Sequence, residues 1–174
     1  MQYEIKVITV RFSYDQSHQR TQAKSQTLIE QKNANMRKRE PVSAIMSTDL
    51  FTVQRNSHSL RDVKQIFEKN EIRHVPVMDG NNLIGIISKN DLLRLDFGAV
   101  FENQGEGDEA VLDMLTIDQL MTHSPKSIPS DMPIRVVAET FVEEKFHALP
   151  VMDGEKLIGI VTSTDVIEYM LEQY

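Results

Sequence analysis

Val75-Pro76-Val77-Met78-Asp79-Gly80-Asn81-Asn82-Leu83-Ile84-Gly85-Ile86-Ile87-Ser88-Lys89-Asn90-Asp91 occurs twice in this chain. Its second copy is Leu149-Pro150-Val151-Met152-Asp153-Gly154-Glu155-Lys156-Leu157-Ile158-Gly159-Ile160-Val161-Thr162-Ser163-Thr164-Asp165, without a gap and 74 residues further on. Self-similarity at a fixed period decides architecture before any local propensity does. In each copy an apolar run ends in Asp-Gly, a strong signal for a tight hairpin, and a β-branched run follows. A hydroxyl then stands three residues before an Asp, where an apolar helical pattern begins. The unit reads as hairpin, then strand into helix, twice.

The repeat extends outward from this stretch. Pro41 to Leu95 holds the first copy: a short helix over Val42–Met46, a strand over Leu50–Val53, and a helix starting at Ser59-Leu60-Arg61-Asp62. Leu60, Val63, Ile66 and Phe67 lie at helical spacing on one face of that helix, which stops near Asn70. Arg73–Val77 and Leu83–Ile87 form the hairpin, and Leu92, Leu93 and Leu95 give the closing helix its apolar side. In the second copy Met121 answers Met46, Ile128 answers Val53, Ile134 answers Leu60 and Phe141 answers Phe67. Ala110–Met121 reads as helical. These boundaries give an N-terminal extension at 1–40, repeats at 41–97 and 116–174, and an acidic linker with a helix at 98–115. The expected class is mixed α/β (α+β): two pseudo-twofold-related three-stranded units, each with flanking helices, packed on one another because neither covers its own apolar faces alone.

A length of 174 residues accommodates such a pair, and 40 % hydrophobic with 26 % charged residues is the balance of a globular protein. No apolar run reaches the roughly 18 residues needed to span a bilayer. The N-terminus lacks a secretory pattern, and the absence of cysteine excludes disulfides and thiolate chemistry, so a cytoplasmic protein is expected. The net charge of −7 is uneven: residues 1–40 carry +4 and the remainder −11. Nucleic acid is not an expected partner for so acidic a body, since phosphate neutralisation supplies most non-specific affinity. Tyr3–Phe12 alternates like a strand. The basic cluster Met36-Arg37-Lys38-Arg39-Glu40 is either a solvated linker or a segment that docks on the acidic 96–118 stretch, on a neighbouring subunit or on an anionic partner.

Ser88 and Thr162 sit where a strand gives way to a helix, a place where free backbone N–H groups and the helix dipole favour an anion. An Asp one turn later accepts hydrogen bonds as a ribose diol would require, and Gly85 and Gly159 leave room for a ring or a backbone nearby. The same residues also make an ordinary capping box. His74 and His147 lack partners at metal-ligand spacing, so no metal is expected. No nucleophile–base set or phosphate-binding glycine loop is present, and no catalysis is expected. Met46, Met78, Met121 and Met152 read as core filler.

The repeated pattern apolar-Pro-Val-x-Asp, then apolar-Gly-apolar-apolar-Ser/Thr-x-x-Asp, resembles the cystathionine β-synthase (CBS) domain in its tandem form, the Bateman module. The resemblance runs from Pro41 to the C-terminus. It implies a regulatory sensor of an adenosyl ligand (AMP, ADP, ATP or S-adenosylmethionine), with no obligatory cofactor, two clefts between the repeats, a homodimer and an unidentified regulated protein. Carried over, Thr162, Thr164, Asp165, His147 and Ala148 line the favoured cleft, with Leu50, Phe51, Ile72 and Arg73 crossing from the first repeat. Ser88, Asn90, Asp91, His74 and Arg73 line the other, with Lys126 and Ser127 crossing from the second. Leu60, Val63 and Phe67 would face a second subunit. The alternative is a ligand-free assembly scaffold with degenerate clefts.

Overall fold

The computed structural model describes residues 39–99 and 112–174. The chain divides into two compact units, Met1–Glu40 and Pro41–Tyr174. The expected strand at Tyr3–Phe12, most of the basic cluster and the centre of the acidic linker lie outside the described residues.

In the larger unit a 3-10 turn, Val42–Ala44, leads to strand β1 (Val53–Gln54), helix α1 (Leu60–Asn70), strands β2 (His74–Asp79) and β3 (Asn82–Ser88), and helix α2 (Lys89–Ala99). The second half repeats this order. Helix α3 (Ile117–Leu120) precedes β4 (Thr122–His123), β5 (Ile128–Pro129), α4 (Ile134–Glu144), β6 (Ala148–Asp153), β7 (Lys156–Thr162) and α5 (Ser163–Leu171). The Asp-Gly signals make the hairpins: Asp79 pairs with Asn82 and Asp153 with Lys156, and Gly80 and Gly154 hold φ of 58° and 59°. That left-handed backbone suits a tight hairpin matched to the strand twist. Both hairpins carry a register break at the same place, after Val77 and after Val151. The duplication therefore extends to irregularities.

The sheets correct one expectation. The second has three strands, β5-β6-β7, but the first has four, β1-β2-β3-β4. The extra strand comes from the leading segment of the second repeat, where Gly85 faces His123 and Ile86 faces Thr122. The exchange is mutual. Ser47, in the leading segment of the first repeat, gives and accepts main-chain bonds of 2.9 and 3.0 Å with Ile160 on β7. Val42 bonds to the carbonyl of Met132 at 2.8 Å and is fully buried in the core of the second repeat. Ile117 and Met121 in turn join the core of the first. Each repeat is thus completed by the other's first residues, which ties the halves together through main chain and core.

This exchange also explains the two strand glycines. A Cβ on Gly159 would lie 2.5 Å from the sulfur of Met46, and one on Gly85 would overlap Met121. The space at each glycine holds a thioether from the opposite leading segment rather than a ligand. Met46 and Met121 pack in the cores and Met78 is buried, as their pattern suggested, whereas Met152 is half-buried and belongs to neither core.

Leu60, Val63 and Phe67 do not face a second subunit. They are 0 %, 0 % and 2 % exposed and pack with Val53, Val75, Val77 and Ile87 under the first sheet. Helix α1 starts at Ser59, whose hydroxyl and N–H are bonded reciprocally with Asp62, and ends at Glu71 in the left-handed region. The hydrogen bonds from Ser59 hold the Asp62 carboxyl below its usual range. The expected helix at 110–121 is broken within its described part, because Thr116 is extended and caps α3 afresh through Gln119. Paired contacts fix this segment to the first repeat: Arg61 grips Asp113 with bonds of 2.6 and 2.7 Å, and Arg55 Nε donates to Asp118 at 2.8 Å.

Candidate functional site

Two strand-to-helix steps form the site. β3 ends at Ser88 and α2 begins at Lys89, while β7 ends at Thr162 and α5 begins at Ser163. The antiparallel registers bring the segment before each hairpin alongside, since His74 pairs with Ser88 and Ala148 with Thr162. The exchanged bridge between Ser47 and Ile160 adds a residue from the opposite leading segment.

A cavity of about 760 Å³ lies between the two steps, within the size range of small-molecule sites. From the favoured set, Thr162, Thr164, Asp165, His147, Ile72 and Arg73 line it. From the other set, Ser88, Asn90 and His74 line the same space. Residues assigned to two separate clefts therefore share one chamber. Asp91, Ala148, Leu50, Phe51, Lys126 and Ser127 are not in its lining. Phe51 is exposed, and Lys126 forms a 2.9 Å ion pair with Glu144 of its own repeat. Ser47, Glu71, Lys89, Ile160, Ser163 and Glu168 complete the wall. Sequence reasoning missed them. Ser163 and Lys89 adjoin the steps already recognised, but the role of Ser47 depends on an exchange that no local pattern encodes.

Both aspartates act as helix caps through one oxygen. Asp91 Oδ2 accepts from the N–H and hydroxyl of Ser88 at 2.8 and 2.6 Å, and Asp165 Oδ2 accepts from those of Thr162 at 2.6 and 2.8 Å. The second oxygen of Asp165 makes no hydrogen bond to the described residues, and Asp165 borders the cavity. The expectation of several free N–H groups at these helix starts needs correcting. Lys89 N–H donates to the Arg73 carbonyl at 2.8 Å and Ser163 N–H to that of His147 at 3.2 Å. Asp91 and Asp165 N–H return to their capping hydroxyls at 3.3 Å each. The N–H groups of Asn90 and Thr164 are what remain of each first turn.

His74 has no counterpart in the second repeat, where Ala148 takes its place. Burial pushes its imidazole below the ordinary histidine value, reinforced by nearby His147 and Arg73 and opposed by Asp91. Its Nδ1 is buried without a hydrogen-bond partner among the described residues. Protonation would place an N–H on that nitrogen with no acceptor, so the neutral ring is the form that fits. A folded pKa depressed below the unfolded value near 6.5 gives stability that is complete above about pH 6.5 and is lost as pH falls through the folded value. His74→Ala should flatten the change in melting temperature between about pH 7.5 and 5.5. Melting curves of variant and parent with equal pH slopes would contradict this. No group of three or more His, Asp or Glu side chains able to hold a metal occurs among the described residues.

A duplicated mixed α+β unit, with residues of both strand-to-helix steps lining one chamber between the halves, defines the class as a tandem-repeat module. The CBS domain model matches residues 42–98 and 117–172, and the chain belongs to that family as a tandem pair. Uncharacterized protein MJ1225 of Methanocaldococcus jannaschii is 30 % identical over 131 residues, which is 75 % of this chain and 43 % of that protein. CBSX2, a chloroplastic CBS domain-containing protein of Arabidopsis thaliana, is 27 % identical over 71 % of this chain and 63 % of its own. The chain thus spans less than two thirds of either relative. The crystal structure of CBSX2 in complex with AMP covers 76 % of this chain and 97 % of that one, with a TM-score of 0.62 and 28 % identity. That of the MJ0100 CBS domain pair with 5-methylthioadenosine and S-adenosyl-L-methionine covers 78 % and 98 %, with a TM-score of 0.64 and 26 % identity. No helix among the described residues is long and apolar enough to cross a membrane.

Proposed function

We propose that residues 41–174 are a regulatory sensor that takes an adenosyl ligand into the chamber between its repeats and passes occupancy to a partner protein, as a cytoplasmic homodimer. The observation that carries this reading is the chamber itself, lined from both repeats by Ser88 and Asn90 on one step and Thr162, Thr164 and Asp165 on the other. The AMP, 5-methylthioadenosine and S-adenosylmethionine bound by the two related structures supply the ligand class. A ligand that binds one relative arrangement of the repeats better than another shifts the balance between them. Signalling requires that difference.

The test is thermal. Ligand at about 100 times its dissociation constant adds roughly 2.7 kcal/mol to folding, which for a chain of this size raises the melting temperature by about 5–10 °C. AMP, ADP, ATP and S-adenosylmethionine are the compounds to screen, and at least one should produce that rise. A scaffold reading is favoured by the use of Asp91 and Asp165 as caps and by the exposed apolar Ile167, Met170 and Leu171 on α5. It becomes the better one if all four leave the midpoint within about 1 °C while light scattering shows a dimer.

A further inference from the structure

The charges around the chamber narrow the ligand. Arg73 and Lys89 supply its cationic side chains, and Glu71, Asp165 and Glu168 its anionic ones. Apart from the two histidines, the wall sums to −1. Burial of His74, with its unpartnered Nδ1, works against a compensating proton there. The helix starts add little, because most of their first-turn N–H groups are already bonded to Asp91, Asp165 and the carbonyls of Arg73 and His147. The donors left over are the N–H groups of Asn90 and Thr164, the side chains of Ser47, Asn90, His147, Ser163 and Thr164, and the two cations. Of these only Arg73 and Lys89 are fixed cations, enough to balance the charge of one phosphate. A polyphosphate chain would extend toward Glu71 or Glu168 with no further cation to meet it.

We propose that the chamber accepts adenosyl ligands bearing one phosphate or none, and that Glu71 and Glu168 exclude the di- and triphosphates. The inference rests on the adenosyl reading above and adds the ligand's charge to it. Each added phosphate brings further negative charge into a wall that is already net acidic. At separations of about 8 Å a unit charge changes affinity by a factor of roughly 2 in a water-like dielectric, and by about 30 at an effective dielectric of 20.

Calorimetric titration of the full chain at about pH 7.5, with EDTA present so that no cation masks the phosphates, tests this with adenosine, AMP, ADP and ATP. AMP should bind at least about tenfold tighter than ATP, with ADP between them. Glu71→Gln/Glu168→Gln should bring ATP to within about threefold of AMP, and Glu168→Gln alone should move it part of the way. Equal affinity for AMP and ATP, or a ratio the glutamine variants leave unchanged, overturns the charge limit while the adenosyl reading stands. Failure of all four compounds and of S-adenosylmethionine to bind removes both.

Discussion

Phe67→Ala is expected to destabilise the chain by about 3–5 kcal/mol, the range for emptying an aromatic site in a close-packed core. Phe67 is 2 % exposed and is the largest of the fully buried side chains, packed with Leu60 and Val63 of its own helix and Val75, Val77 and Ile87 of the sheet. The loss should be the same at low and high protein concentration, because the cavity opens inside one repeat. An interface residue would behave differently, since association links stability to concentration. Phe141→Ala, at the equivalent position and 8 % exposed, belongs to the same class of loss. Val142→Ala, at a position on α4 that is 79 % exposed, should stay within about 0.5 kcal/mol. Chemical denaturation reads all three. A Phe67→Ala loss below about 1 kcal/mol, or one that grows on dilution, would return this face to a partner subunit.

The sequence reading and the fold diverge at just this point. Helical spacing identified Leu60, Val63 and Phe67 as one buried face, but periodicity cannot say whether the cover comes from the same chain. Tight turns were legible because their chemistry is local: Asp79-Gly80 and Asp153-Gly154 need only a residue that tolerates positive φ. The hydroxyl-to-aspartate steps were legible for the same reason. The exchange of leading segments was not. It is made by main-chain bonds of Ser47 and of Thr122–His123, whose side chains are exposed and show no alternation. Gly85 and Gly159 carried a readable signal, a close approach, yet the approaching group was a methionine and not a ligand. A residue pattern records that space is needed there without recording what fills it. The break at Thr116 is a lesson of another kind, because a cap within an apolar run looks like helix until its extended backbone is seen.

For the site, the separate roles of the two aspartates lead to the second large effect. Asp165→Asn is expected to weaken the adenosyl ligand by about 10- to 100-fold, the equivalent of removing a charged acceptor worth roughly 1.5–3 kcal/mol. The amide oxygen can still accept from Thr162 N–H and Oγ1, the bonds of 2.6 and 2.8 Å that cap α5, so stability should stay within about 1 kcal/mol. On the proposed adenosyl reading, the second Asp165 oxygen, which takes no part in the cap, is the one that meets the ribose diol. Asp91→Asn should change affinity by less than about threefold, since Asp91 caps α2 in the same way but does not border the chamber. Alanine at position 165 combines both losses, the ligand contact and about 0.5–2 kcal/mol of capping, and for that reason separates them less cleanly. Titration of each asparagine variant beside its melting curve distinguishes the roles. If Asp91→Asn costs more affinity than Asp165→Asn, the ligand sits on the α2 step. If neither moves affinity while Asp165→Ala lowers the melting point, both carboxylates belong to their helices alone.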